Sequence, residues 1–354
     1  MEFRAARHSE RGEVLDLLAL WYNDRAFFAR YNENDPTFRD ELCLVALDDG
    51  RIVATVQVFD RAINFAGLRV PMGGIGSVFT LDDYRHKGVA SGLMRLAIET
   101  MTRAGFEVSL LFAERLTFYN QFEWREVSRK FSVIPMPSVL RVPTNLEIET
   151  FDQTRDLAAV AQLHREYTGR FNVTAVRDDN AWRGNLTFAG NQPQHPGGGS
   201  DEYFVLCRRG GDVAAYARVA QFHGVAMVME YAYQPGGEEN VLALFRHLGE
   251  VASGKPSSFA LEGNHDRSNL LRPSRPDAAP GLLISHTAHD RSLEAKFAAA
   301  GCPVMHHPDN FYMWRILNGD ALAKRMNWPA SEATARAFRI FESDESLFWT
   351  SDRF

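Results

Sequence analysis

A turn between a glycine-rich strand and a long amphipathic helix carries the residues best suited to chemistry. Its six residues are Arg85, His86, Lys87, Gly88, Val89 and Ala90. The first N–H groups of a helix have no partner within the helix and lie at the positive end of its dipole, so such a turn suits a phosphate or pyrophosphate. Gly88 lets the backbone approach a ligand because it has no Cβ.

Two further features lie close to this turn in the sequence. The preceding strand, residues 73–80, contains three glycines, and glycine inside a strand often marks a bulge or the close approach of a ligand. Tyr119 follows the next predicted strand, residues 106–113, between Phe118 and Phe122. Such a tyrosine is either a packed core residue or a phenol placed for proton transfer, and the residues alone leave both interpretations open.

The turn matches neither of the common nucleotide-binding motifs. It lacks the glycine spacing of a dinucleotide-binding fold and the Lys-Ser/Thr pair of a phosphate-binding loop. An Arg-x-x-Gly-x-Ala pattern also arises by chance in a chain of this length. Its position after a strand and at the start of a helix is what favours a functional interpretation.

The neighbouring elements predict an α/β unit around this turn. Apolar periodicity predicts a first helix over residues 13–30 and a helix after the turn that ends at Gly105. The Asp49-Gly50 dipeptide predicts a hairpin between strands at 42–47 and 51–59. A further pair of strands is expected around 61–70 with Gly67 in its turn, then a strand at 72–80, and a short helix or turn at 118–124.

Composition excludes several classes of protein. The 354 residues are 45% hydrophobic and 24% charged, as in a soluble globular protein of two or more domains. A net charge of −6 without any basic run argues against nucleic acid as a partner. Cys43, Cys207 and Cys302 have no metal-binding or CxxC spacing, so buried thiols are expected. Without an apolar stretch or signal peptide, we expect a cytoplasmic protein that does not bind membranes.

Residues 1 to about 135 resemble GNAT-type (Gcn5-related) acyl-CoA-dependent N-acetyltransferases. The matching pieces are the strand end at 77–79, the RHKGVA turn and the segment FYNQFEW at 118–124. Over nearly its full length the chain is similar to the enhanced-intracellular-survival (Eis-like) branch of that superfamily, although only the first domain carries specific motifs.

The resemblance implies an α/β (α+β) fold: two tandem GNAT-like domains with mixed, mostly antiparallel sheets, plus a short C-terminal extension. The expected divisions are a catalytic domain at 1–138, a degenerate GNAT-like domain at 139–310, and a strand and helical extension with a docked tail at 311–354. It also implies a homo-oligomer.

The resemblance further implies a binding site for acetyl-CoA. In this family the turn amides bind the CoA pyrophosphate, and the glycine-rich strand separates from its neighbour to admit the pantetheine arm. The residues implied for binding are Val78, Phe79 and Arg85 to Ala90. A backbone amide near Val78 would polarise the thioester carbonyl, and Tyr119 would protonate the departing thiolate. Glu123 stands where the family usually has glycine.

Aromatic residues cluster near the end of the first predicted helix. Trp21, Phe27 and Phe28 are either core residues or walls of an acceptor pocket, and we take them as candidate substrate-binding residues.

The last eight residues, 347–354, are too aromatic for a disordered tail. In Eis-like proteins the terminal carboxylate enters the active site as a general base, a role that the resemblance carries to Phe354. The alternative is a docked tail anchored by Trp349.

A proline-rich linker at 134–145 precedes a second round of similar elements. Where the second pyrophosphate turn would lie, the sequence at 233–239 ends in Glu238 and Glu239, which would repel phosphates. We therefore expect a second domain that does not bind CoA.

The histidines at 286, 289, 306 and 307 lack further ligands at a recognisable metal-binding spacing, so surface or loop positions and no metal are expected.

Two function classes remain open. The first is an acetyl-CoA-dependent N-acetyltransferase acting on an amine such as an aminoglycoside, polyamine, small amine or lysine. The second is a non-catalytic acyl-CoA-binding or interaction protein. The intact RHKGVA turn and Tyr119 favour the enzyme.

Overall fold

The computed structural model describes residues 1–22, 25–135, 146–190, 203–222, 225–253 and 282–353. These described residues form ten helices and fifteen strands, arranged in two sheets. The helices are α1 Arg11–Tyr22, α2 Arg25–Asn34, α3 Val89–Arg103, α4 Leu116–Asn120, α5 Gln153–Thr168, α6 Asp179–Gly190, α7 Glu238–Ser253, α8 Arg291–Ala299, α9 Gly319–Met326 and α10 Ala333–Phe341.

The strands are numbered in chain order. They are β1 Glu2–Ala5, β2 Cys43–Asp48, β3 Arg51–Phe65, β4 Leu68–Thr80, β5 Val108–Phe112, β6 Arg125–Glu126, β7 Arg129–Pro135, β8 Glu147–Thr150, β9 Thr174–Ala175, β10 Tyr203–Arg209, β11 Asp212–Phe222, β12 Val225–Tyr233, β13 Leu282–Ser285, β14 Met305–Asp309 and β15 Tyr312–Ile316.

The first sheet has the order β1-β2-β3-β4-β5-β15-β6, with β9 paired to β3, and the second has the order β14-β7-β13-β12-β11-β10-β8. Only β4–β5 and β12–β13 run parallel within these sheets. The expected fold class, two GNAT-like units with mixed and mostly antiparallel sheets, is confirmed.

Each face of the first sheet packs against different helices. On one face, Leu93, Ala97 and Met101 of α3 pack against Val56 and Ile75 of the sheet. The opposite face is covered by α1 near β2 and by α10 near the ends of β3 and β5. A ligand that passes between two strands of this sheet therefore connects the α3 face with the opposite face.

Local signals account for the elements that were predicted correctly. The β2–β3 hairpin turns at Asp49 and Gly50, which have φ of 48° and 81°. Helix α3 begins after Gly88 and is followed by Gly105, with φ of 80° and 82°, a backbone conformation that glycine adopts without strain.

Two predictions about element length were wrong. The four short strands expected between residues 51 and 80 are two long ones, β3 and β4, which turn at Ala66 and Gly67. The single helix expected over 13–30 is two helices, α1 and α2.

The two sheets exchange strands. β7, expected at the end of the first domain, pairs with β13 and β14 in the second sheet. β15, expected in the C-terminal extension, pairs with β5 and β6 in the first sheet. The apolar pattern of a strand specifies its buried face but not its distant partner, so this exchange was not anticipated.

Other predictions fall partly outside the described residues. The part of the predicted linker beyond Pro135 lies there, as does Phe354. The three cysteines are free and buried, as expected. Within the described part of the chain, no helix combines the length and apolarity needed to cross a membrane.

Candidate active site

The parallel strands β4 and β5 separate along their length. They pair only from Met72 with Val108 to Ile75 with Leu111. β4 then continues to Thr80, whereas β5 ends one residue after Leu111. The sheet is therefore open between these strands beyond Ile75, and we call this opening the split.

A β-bulge lies on β4 beside the split. Gly76 pairs with Gln57 and Phe79 pairs with Thr55, so that Ser77 and Val78 together lie opposite Val56. Ser77 has φ of 50°, as expected of a bulge that turns the backbone locally. A bulge leaves one residue without its ladder partner, so β4 can offer a backbone amide to a ligand in the split.

The side chains of Val78 in the bulge and Phe79 after it point to opposite faces of the sheet. Val78 packs on the α3 side, whereas Phe79 packs on the α1 side. Phe79 stacks against Trp21, with ring centroids 6.2 Å apart and planes at 24°. One strand thus contributes to both sides of the opening.

The turn after β4 leads into the exposed N-terminus of α3. Gly88 is the N-cap residue, and no side chain in the described part of the chain caps this helix. A Cβ built on Gly88 would meet no atom within 4 Å. Because the first helical N–H groups lack intrahelical partners, the turn provides several donors and a positive dipole end beside open space.

The basic side chains of this turn lie at its rim. Arg85, His86 and Lys87 are exposed. The Arg85 guanidinium lies 2.8 Å from Asp82, and the Lys87 ammonium lies 5.5 Å from the Tyr84 ring centroid. Val89 is buried and Ala90 is half-buried, so the turn contacts a ligand mainly through its backbone.

Tyr119 lies on α4, the short helix that follows β5. Its ring packs edge-on against Phe118, with centroids 4.9 Å apart, and part of its surface remains exposed. Burial raises the pKa of Tyr119 to about 12, and the nearby Arg115 charge opposes this only weakly. The phenol is therefore protonated at neutral pH and available as a proton donor.

Glu123 adopts a left-handed backbone conformation, which glycine adopts with less strain. Its φ is 65°, and its carboxylate pairs with Arg315 at 2.9 Å. The turn after Tyr119 therefore forms despite the departure from glycine, at the cost of a strained backbone.

A cavity of about 320 Å³ lies between the two units, and we call it the interunit cavity. Its walls come from the segment after α2, from β3, from the α6 region and from the tail at 351–353. Charged residues of both signs line it: Asp35, Asp60, Asp178, Asp352, Arg61, Arg69, Arg177 and Arg353. This is the size of a small-molecule site, but its wall is polar.

The tail is held at this cavity by a buried ion-pair network. Arg177 donates to Asp352 at 2.6 Å and to Glu230 at 2.5 Å, and the side chains of all three are at most 7% exposed. Burial raises the pKa of Asp352, while the Arg177 charge opposes the shift. Trp349 anchors the tail further back, 4.9 Å from the Tyr231 ring centroid. The predicted base, Phe354, lies outside the described residues.

The candidate substrate-binding aromatics differ in exposure, although Phe27 and Phe28 meet edge-on with ring centroids 5.1 Å apart. Trp21 is 48% exposed and lines a second cavity of about 400 Å³, with Phe79 and Arg85. Phe28 is buried in the core beneath α1, and Phe27 is half-buried against it. Of the three, Trp21 alone lines either of these cavities.

The second unit repeats the strand divergence but not the open turn. β12 pairs with β13 only at Ala226 and Met227. Beyond them, Tyr233 donates to Asp290 at 2.9 Å, and Trp349 packs against His289. Side chains thus occupy the position that is open in the first unit.

Two of the histidines expected at surface or loop positions, His286 and His289, lie in the loop after β13 but are buried there. His286 hydrogen-bonds Asp309 at 3.1 Å, and His289 lies 3.2 Å from the Tyr167 hydroxyl. Burial lowers the pKa of each imidazole, so their neutral forms are favoured in the core. No group of three or more potential metal ligands is formed within the residues that the structure describes.

No pattern in the sequence singles out Arg177 and Asp352, which line the interunit cavity, or Phe112, which lies beside the split. Arg177 and Asp352 are 175 positions apart and become neighbours only through the fold. Phe112 ends an ordinary apolar strand, and nothing in its local pattern distinguishes it.

The split, the bulge and the uncapped N-terminus of α3 all lie in one part of the chain, and that part matches a known family. Residues 2–127 match the model of an acetyltransferase (GNAT) domain. No curated protein matches the chain significantly.

Solved structures extend the similarity of fold to most of the chain. A GCN5-related N-acetyltransferase from Anabaena variabilis is 14% identical with a TM-score of 0.65, covering 90% of this chain and 73% of its own. Eis1 from Mycobacterium abscessus is 14% identical with a TM-score of 0.57, covering 92% and 76%.

Saccharomyces cerevisiae N-myristoyltransferase with bound myristoyl-CoA has the same fold. It is 11% identical with a TM-score of 0.55, covering 90% of this chain and 78% of its own. The chain thus shares its fold with the Eis1 structure expected from the resemblance and with an acyltransferase for a long acyl chain.

Proposed function

We propose that this protein is an acetyl-CoA-dependent N-acetyltransferase acting on an amine. The single observation that carries the proposal is that three features pack around one hydrophobic cluster: α3, which begins after Gly88, Val78 in the bulge, and Tyr119 after β5. They match the three parts of an acyl-CoA thioester site in the order pyrophosphate, carbonyl and leaving sulfur.

The turn from Arg85 to Ala90 binds the pyrophosphate of CoA. Its backbone N–H groups and helix dipole favour an anion, and the exposed Arg85 and Lys87 add positive charge at the rim beside His86. The absence of a Cβ at Gly88 leaves the space that a phosphate needs.

The pantetheine arm occupies the split, and the thioester lies at the bulge. There a backbone N–H at Val78 polarises the carbonyl, and Phe79 forms part of the wall. The amine nitrogen attacks the carbonyl carbon, and the tetrahedral oxyanion is stabilised by this donor. The carbon–sulfur bond then breaks, and Tyr119 transfers its proton to the thiolate.

The attacking amine must be uncharged and therefore needs a base. We propose the carboxylate of Phe354 for this role, because the preceding residues 351–353 line the interunit cavity. The cavity is the proposed acceptor site, and its walls from both units give the second unit a role without a second CoA site. Candidate acceptors are aminoglycosides, polyamines, small amines and lysine side chains.

A panel of these amines tests the proposal. The full-length protein is incubated with acetyl-CoA and each amine, and release of the CoA thiol is followed. Thiol release that requires both the amine and the protein supports the transferase. Binding of acetyl-CoA without release for any amine would favour the non-catalytic acyl-CoA-binding protein.

A further inference from the structure

The closed end of the split, where β4 and β5 stop pairing, is covered by packed aromatic rings. Phe112, the last residue of β5, stands one position beyond the last β4–β5 pair. Its ring meets Tyr312 edge-on at 5.1 Å between centroids and lies 6.1 Å from Phe348 of the tail. Tyr312 and Phe348 are almost fully buried, so the Phe112 ring is supported by closely packed side chains.

Arg353 closes this cluster on the side of the interunit cavity. Its guanidinium carbon lies 5.0 Å from the Phe112 ring centroid, and its Nη2 donates to the Tyr312 hydroxyl at 3.0 Å. The same group lies 3.6 Å from Asp309. Because Asp352 is held separately by Arg177, two consecutive tail residues are fixed on different partners.

The ring of Phe112 lies on the face of the sheet opposite α3. Strand side chains alternate, and Val108, Leu110 and Phe112 belong to the cluster that packs against α10. An acyl group that emerges from the split on this face meets the Phe112 ring. Arg353, which packs on that ring, lines the interunit cavity, whose wall holds four aspartates and four arginines.

A long hydrocarbon chain has no suitable place here. It would displace rings in a packed cluster or lie against charged groups that lose hydration. A two-carbon acyl group requires neither. The fold alone does not impose this limit, because the yeast structure with the same fold holds myristoyl-CoA.

We propose that Phe112, backed by Tyr312, Phe348 and Arg353, limits the length of the acyl group, so that the donor is a short acyl-CoA. This rests on the proposed function, since it requires acyl-CoA in the split. Phe112 is then a specificity-determining residue, and its packing explains why long acyl chains are rejected.

Calorimetric titration of the full chain with CoA, acetyl-CoA and hexanoyl-CoA tests the proposal without requiring an acceptor. The wild type is expected to bind acetyl-CoA roughly tenfold or more tightly than hexanoyl-CoA. Phe112→Ala should reduce that ratio by about tenfold, chiefly through tighter hexanoyl-CoA binding, which misfolding would not produce.

Phe65→Ala is the matched control. Phe65 is fully buried in the same cluster and packs against Phe341 at 5.3 Å, at the far end of β3. It should leave the wild-type ratio unchanged. Equal wild-type affinity for both acyl-CoAs would overturn the inference. So would a ratio of acetyl-CoA to hexanoyl-CoA affinity that is unchanged in Phe112→Ala or that shifts equally in both variants. Failure to bind any of the three compounds would instead refute the proposed function, and the inference with it.

Discussion

The Nε atom of Arg177 lies 2.6 Å from Oδ1 of Asp352, and both side chains are almost fully buried. Arg177 belongs to the segment before α6, whereas Asp352 lies in the tail, so this bond ties the end of the described chain to the second unit. The same guanidinium neutralises Glu230 on β12. The pKa of Arg177 is raised because the Asp352 and Glu230 charges outweigh the effect of burial.

Arg177→Met should therefore be strongly destabilising. It leaves two buried carboxylates without this partner, and breaking such a pair typically costs roughly 3–5 kcal/mol of unfolding free energy. Arg336→Met is the control, because Arg336 pairs with Glu332 on an exposed helix face and should cost about 0.3–0.5 kcal/mol. Denaturant unfolding of both variants gives the comparison, and equal losses would contradict the assigned role of burial.

Gly88→Ala should weaken acetyl-CoA binding at least tenfold in calorimetric titration. The added Cβ projects into the space left for the pyrophosphate, and positive φ costs an L-residue on the order of 1 kcal/mol. Gly105→Ala provides the matched control at the other end of α3. Gly105 has the same φ and equally open surroundings, so its variant should lose similar stability but bind acetyl-CoA normally. Equal affinities in the two variants would remove the turn from the site.

Tyr119→Phe should lower turnover by roughly tenfold or more, the effect of losing a general acid. The affinity for acetyl-CoA should change less than about twofold, because the ring and its packing against Phe118 are kept. Tyr84→Phe removes a hydroxyl that donates to Asp48 beside the turn, and turnover should be unaffected. Steady-state rates with calorimetric affinities separate the two effects; unchanged turnover in Tyr119→Phe would exclude the acid role.

The pH dependence of turnover should show no loss of the Tyr119 proton below about pH 10. Burial raises its folded-state pKa to about 12, whereas an unfolded tyrosine titrates near 10. The folded state thus retains this proton as pH rises, and the group reduces stability between about pH 10 and pH 12. A rate decrease centred near pH 8 that disappears in Tyr119→Phe would contradict this assignment.

A short extension after Phe354 should depress turnover by roughly tenfold, because it moves the proposed carboxylate base away from the preceding anchored residues. An extension of equal length before Met1, which is 55% exposed, should have no effect. Thiol release is compared for the two extended proteins, and full activity of the protein with the C-terminal extension would exclude the terminal carboxylate as the base.

Local signals were sufficient for much of the fold and for part of the site. Asp49-Gly50 marked a hairpin, and Gly88 and Gly105 bounded α3, because such signals act within a few residues. The RHKGVA turn and Tyr119 were recognisable from their order relative to strands and a helix. The roles proposed for them come from the resemblance rather than from spacing.

Long-range partners could not be predicted. Nothing near Phe131 indicates that β7 joins the second sheet, and nothing near Trp314 indicates that β15 joins the first. The Arg177–Asp352 pair and the packing of Arg353 on Phe112 depend on this exchange. His286 and His289 lie in a loop, as one of the two expected positions, but their burial follows from distant elements and was not anticipated.

The central claim is that the site at the split transfers an acetyl group to an amine. The most direct test quantifies released thiol and acetylated amine together for one accepted amine. Our account predicts one acetylated amine for each thiol released, with both reduced in parallel in Tyr119→Phe. Thiol release without an acetylated product, or no release with any amine, would contradict it.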